Sequence, residues 1–110
     1  MESQKTILAR ARARAKEQGL PYAGALQPKE AHELLAQNPA AKLVDVRTDE
    51  EYATAKIAEA ILVNTPEKAQ EILKLPKETP IVFHCHHGMR SLQAALWFQE
   101  KGFTNIFNLT

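Results

Sequence analysis

Short apolar runs rich in β-branched residues alternate along the chain with longer stretches in which apolar residues recur at helical spacing. Leu43-Val44-Asp45-Val46, Ile61-Leu62-Val63, Ile81-Val82-Phe83-His84-Cys85 and Ile106-Phe107-Asn108-Leu109 read as strands. The third is almost continuously apolar, the pattern of a central strand buried on both faces. Between the strands lie helical stretches. Residues 5–18 are rich in good helix formers and end at Gly19, a plausible stop, with Leu20 to Gly24 read as a connector. Pro28 suits the first turn of a helix that runs through Leu35 and closes near Asn38-Pro39. Thr48-Asp49-Glu50-Glu51 has capping-box spacing, so a short helix is predicted straight after the Asp45 strand. Thr65-Pro66 opens a helix over Glu67–Leu73, and Ser91–Lys101 forms another, with Leu92, Ala95, Leu96 and Phe98 or Gln99 on or beside its inner face and Gly102 as its cap. Strands alternating with helices predict an α/β fold, a small parallel sheet flanked by helices.

Composition changes this picture little. The 110 residues make one domain, with 45% hydrophobic and 25% charged residues, ordinary for a globular protein. No apolar run reaches the roughly 20 residues needed to span a bilayer, and Ile7 and Leu8 are followed at once by arginines, unlike a secretory segment. The expectation is a cytoplasmic protein without a membrane partner. A net charge of +1 gives no reason to expect nucleic acid. The charge is uneven, with Lys5, Arg10, Arg12, Arg14 and Lys16 against Glu2 and Glu17 in the first twenty residues. Residues 1–20 are therefore read as a basic helical extension that packs Ile7 or Leu8 on a domain spanning 21–110 and leaves its arginines, spread around the helix, in solvent. The single cysteine cannot form an internal disulfide.

The chemistry concentrates in His84-Cys85-His86-His87-Gly88-Met89-Arg90-Ser91. A cysteine leaves the end of a buried strand, a tight loop containing glycine follows, and a helix starts at once. Ligands of open α/β sheets bind at the carboxyl ends of the strands. Successive backbone N–H groups in such a loop can converge on the sulfur, and the positive end of the following helix adds to their field. Both favour thiolate over thiol and lower the cysteine pKa from its free value of about 8.5. Arg90 adds a permanent cation with a forked donor set. The pattern suits a cysteine nucleophile attacking an anionic substrate.

Leu43-Val-Asp-Val-Arg-Thr-Asp-Glu-Glu-Tyr52, Ala55-Lys-Ile-Ala-Glu-Ala-Ile61, Cys85-His-His-Gly-Met-Arg-Ser91 and Gly102-Phe-Thr-Asn-Ile-Phe-Asn-Leu109 together resemble the rhodanese-like family over residues 24–109. The resemblance implies a sulfurtransferase of the thiosulfate type. Cys85 is then the catalytic residue, with His86, His87, Gly88, Met89, Arg90 and Arg47 binding the substrate and neither cofactor nor metal involved. It implies a small anionic sulfur donor and a thiol, cyanide or protein acceptor. A basic segment ahead of such a domain also occurs in some bacterial members. His86 and His87 rim the pocket mainly through their backbone N–H groups, and either imidazole, when protonated, helps hold an anion.

Three other readings compete. A rhodanese fold can serve as a non-catalytic module that docks a partner, but the intact Cys85, Gly88 and Arg90 count against this. Tyrosine phosphatases carry His-Cys-x5-Arg, whereas Arg90 follows Cys85 after only four residues, a tighter loop than a phosphoryl group needs; arsenate reductase falls with the phosphatase. Metal binding by the histidines lacks a recognisable ligand spacing, since His84 and Cys85 alternate across a strand. Trp97 and Phe98 are read as core. Arg47 has two open readings, a second cation at the pocket mouth or a partner of Asp45 or Glu51 that fixes the loop. Lys56, Ala58 and Glu59 replace the usual His, Pro and Gly in a surface turn. The family's Gly-Gly segment and closing C-terminal helix do not follow Leu109 in this sequence. Either the sequence is a trimmed piece or the domain lacks that helix, and the N-terminal helix or a second subunit is then expected to cover the sheet, with self-association or modest stability as the consequence.

Overall fold

The computed structural model describes residues 2–21, 24–54, 60–84 and 89–109. Its elements follow in the order α1 (Gln4–Gln18), β1 (Gly24–Leu26), α2 (Pro28–Gln37), β2 (Lys42–Asp45), α3 (Asp49–Thr54), β3 (Ile61–Leu62), α4 (Pro66–Leu73), β4 (Ile81–His84), α5 (Met89–Glu100) and β5 (Ile106–Leu109). The five strands form one sheet in the order β1-β5-β4-β2-β3, and every pairing is parallel. The sheet is therefore the α/β arrangement that the alternating pattern predicts. Helix signals act where expected. Ser3 Oγ accepts from the Thr6 N–H, Gly19 closes α1 with φ at 68°, and Thr65 Oγ1 accepts from the Lys68 N–H ahead of Pro66.

Alternation along each strand sorts the core onto two faces. Leu26, Leu43, Val82 and Phe107 meet Ile7, Leu8 and Ala11 of α1 and Ala31 and Leu34 of α2 on one face. Ala25, Val44, Ile81, Phe83 and Ile106 meet Ile72 of α4 and Ala95 and Phe98 of α5 on the other. Phe98 stacks its ring 5.3 Å from Phe83, and Trp97 meets Phe98 edge-on at 4.9 Å. Phe98 is core as expected, whereas Trp97 is only partly buried and Leu96 stays outside the cluster. The stripe that α5 buries runs through Ser91, Ala95 and Phe98.

Three details depart from the sequence reading. Gly24 was read as the end of a connector and Ala25 and Leu26 were assigned to no element; the three form β1, a short edge strand paired with β5 from Gly24↔Phe107 to Leu26↔Leu109. A Cβ at Gly24 would collide with the Phe107 ring and stand 3.2 Å from the Ala11 backbone, so glycine is what lets α1 lie this close to the sheet. α5 starts at Met89, two residues earlier than Ser91, so Met89 and Arg90 belong to its first turn. Finally, the arginines of α1 are not all solvated. Arg10 and Arg14, one turn apart, both reach the buried Glu30 carboxylate, at 3.2 and 2.7 Å, and Arg14 also donates to the Ala25 carbonyl at 2.6 Å.

α1 is thus one of the two helices covering its face of the sheet, the role left open between the N-terminal helix and a second subunit. Ile61, 40% accessible, is the single exposed large hydrophobic among the described residues. No helix among them is long and apolar enough to cross a membrane.

Candidate active site

The connections leaving β2 and β4 run in opposite directions across the sheet, from β2 to β3 on one side and from β4 to β5 on the other. The carboxyl ends of β2 and β4 therefore flank the switch point of the fold, where open α/β sheets bind ligands. β4 ends at His84 at this point, four residues before α5 begins at Met89, and Arg47 follows β2 at the same edge. The Val46 N–H donates to the His84 carbonyl at 3.2 Å, so the two strands stay paired to their last residues.

Cys85, His86, His87 and Gly88 lie outside the described residues, as does the 55–59 segment. Met89 and Arg90 open the twelve-residue helix α5, whose axis carries positive partial charge at this end. Arg90 is half-buried and engaged with a partner. Ser91, 1% exposed, heads the inner face of the helix.

Arg47 pairs with Asp45. Its Nε lies 2.9 and 3.0 Å from the two carboxylate oxygens, its Nη2 lies 2.7 Å from Oδ2, and its own backbone N–H donates to Oδ1 at 3.0 Å. Both side chains are buried, so the pair gains from a low local dielectric and from four hydrogen bonds that satisfy one carboxylate. Burial alone pushes the Asp45 carboxyl up. The hydrogen bonds from the Arg47 side chain and backbone, then the charges of Arg47 and His84, outweigh it and hold the carboxyl below its ordinary value. Of the two readings of Arg47, the structure holds the pair that fixes the loop.

Two roles here escaped the sequence reading, that of Asn64 and that of His84 beside Asp45. Asn64, just past β3, donates from Nδ2 to the Arg47 carbonyl at 3.1 Å and to Asp49 Oδ1 at 3.2 Å, tying the β3 end to the start of α3. An amide directly after a strand at the carboxyl edge was the available signal. His84 is the register partner of Asp45, so the two side chains stand side by side on one face, and the imidazole contributes to the low pKa of that carboxylate. A groove of about 380 Å³ opens next to this edge between α4 and α5, lined by Val46, Val63, Asn64, Ala94 and Trp97 among others. No cluster of three metal-ligating side chains occurs among the described residues.

A family model for the rhodanese-like domain matches residues 27–110. The chain belongs to the rhodanese-like family. Relatives carry the same chemistry in their names. The thiosulfate sulfurtransferase GlpE of Pseudomonas aeruginosa is 27% identical over 84 residues, 76% of this chain and 74% of that protein. The Bacillus subtilis protein YtwF is 34% identical over 64 residues, which are 58% of this chain and 62% of YtwF. Among solved structures, the human single-domain sulfurtransferase TSTD1 superposes with a TM-score of 0.62 at 29% identity, covering 77% of this chain and 87% of its own. The rhodanese-like match begins at residue 27, after α1 and β1, so one of the two helices covering one face of the sheet lies outside the matched span.

Proposed function

We propose that this rhodanese-like protein is a sulfurtransferase that carries sulfane sulfur as a persulfide on Cys85. The observation that carries the reading is the position of segment 85–88 in the fold. It joins the carboxyl end of the central strand β4 to the N-terminus of α5, at the switch point of the sheet. A cysteine there is exposed to the positive end of a helix, which favours its thiolate. The names of the relatives support the same chemistry.

In the first half-reaction the Cys85 thiolate attacks the outer sulfur of thiosulfate. A new S–S bond forms on Cys85, the sulfur–sulfur bond of thiosulfate breaks, and sulfite leaves with that bond's electron pair. In the second, a nucleophile such as cyanide or a thiolate attacks the outer persulfide sulfur and takes it, and Cys85 departs as thiolate. No net oxidation occurs, and one cysteine suffices. Arg90 supplies a cation for the anionic donor. The Asp45–Arg47 pair and Asn64 hold the neighbouring loop beside the entrance.

Intact-protein mass spectrometry after incubation with thiosulfate tests the reading. The expected result is a gain of one sulfur atom, removed by cyanide and absent from Cys85→Ser. A wild-type protein that gains no sulfur from thiosulfate or from a low-molecular-weight persulfide overturns it.

A further inference from the structure

Among the described residues, Asn108 Oδ1 is the one buried side-chain oxygen or nitrogen without a hydrogen-bond partner. Asn108 is 7% exposed and sits on β5 in a position the fold treats as core. Its register partners are Phe83 on one side and Ala25 on the other, both apolar and both in the cluster facing α5; Ile106, two residues earlier on the same face, belongs to that cluster too. A leucine or valine at 108 would continue this surface and leave no polar atom to satisfy. An amide there costs stability and, within the fold described, returns nothing for its oxygen.

Its position suggests what the amide does. β5 lies directly against β4, and Asn108 stands level with Phe83, one residue before the last of β4, at the carboxyl edge where segment 85–88 begins. Buried Ser91 opens the inner stripe of α5, the helix to which the same segment leads. The root of the cysteine loop is thus bracketed by two buried polar side chains on a face that is otherwise apolar.

We propose that Asn108 is a positioning residue for the Cys85 loop, its amide accepting a hydrogen bond from that loop during sulfur transfer. The inference rests on the sulfurtransferase reading and deepens it, placing part of the cost of an active loop in the strand beside it. Asn108 touches no reacting atom and acts through the loop. On this proposal, loss of the hydrogen bond weakens the field at sulfur and moves the Cys85 thiol toward its free pKa of about 8.5.

The test compares wild type with Asn108→Leu and Asn108→Thr, the second keeping an oxygen acceptor in a side chain suited to a strand. The decisive readout is the pH midpoint of Cys85 alkylation by iodoacetamide, which reports the field at sulfur whether or not sulfur is transferred. The expected result for Asn108→Leu is a midpoint raised by about half a pH unit or more and persulfide loading from thiosulfate slowed about tenfold to a hundredfold. Asn108→Thr is expected to recover most of both. An Asn108→Leu protein with the wild-type midpoint and loading rate overturns the proposal, leaving Asn108 a merely tolerated core amide. If the leucine variant does not fold, a threonine variant no closer to wild type in midpoint than Asn108→Ala overturns it instead. If wild type loads no sulfur from any donor, the sulfurtransferase reading fails, while the alkylation midpoints still decide the role of Asn108.

Discussion

Asp45 illustrates how one side chain joins fold to site. Its carboxylate ends β2, accepts four hydrogen bonds from Arg47 and lies beside His84, the residue before Cys85. Asp45→Asn leaves a buried guanidinium without its counter-charge, and a loss of about 3–5 kcal/mol is expected from urea unfolding at neutral pH. The sign of the pH dependence follows from the depressed pKa of the folded state. The stabilisation from Asp45, and likewise from Glu30, is complete above the unfolded carboxyl range of about pH 4 and fades as pH falls through the lower folded values. The urea midpoint of wild type is therefore expected to drop below about pH 4, and that of Asp45→Asn to drop less steeply. At this scale the sequence was only partly legible. Asp45 and Arg47, two residues apart, could be seen as a pair in advance, but not chosen over a free cation, because burial decides between them. Asn108 gave no signal, since its significance depends on what lies across the sheet.

The elements show where periodicity carries information. β2, β4 and β5 were readable because β-branched and aromatic residues alternate across two buried faces, and α4 and α5 because Thr65-Pro66 and Gly102 punctuate them. β1 was not, for Gly24-Ala25-Leu26 contains no β-branched residue and owes its extended form to β5 alongside it. Gly24→Val tests this account. The added side chain must displace Phe107 or lift α1, and a loss of about 1–3 kcal/mol is expected in thermal or urea unfolding. A strand-forming residue that destabilises a strand would separate tertiary fit from local propensity. The site divides in the same way. Its cysteine, glycine and arginine were visible as a motif at the end of an apolar run, while the support from Asn64, which follows another strand, and the pairing of His84 with Asp45 appear only once the sheet is assembled.

At the scale of the whole molecule, α1 is part of the core. Ile7 is fully buried with Leu26 and Phe107, and Arg10 and Arg14 fasten the helix to Glu30 of α2. Burial pushes the Glu30 carboxyl up, but hydrogen bonds from Arg14, the Gln27 N–H and Arg10 hold it below its ordinary value. Ile7→Ala is expected to cost about 2–5 kcal/mol, measured by denaturant unfolding, as much as a truncation in the sheet itself. A loss below about 0.5 kcal/mol, typical of surface sites, would make α1 a dispensable appendage. The basic character of the segment hid this role, because two arginines aimed at one buried carboxylate look, in sequence, like solvated charge.

The place of β5 between β1 and β4 sets an order of events during synthesis. Every other strand is synthesised before β5, yet β1 pairs with no strand but β5. Until Ile106–Leu109 emerges, β1 has no strand to pair with, and Phe107, the ring on which α1 closes, is absent. Contacts this distant in sequence slow folding. A nascent chain arrested short of β5 is thus expected to be more open to proteolysis over α1 and β1, and emergence of β5 to protect them.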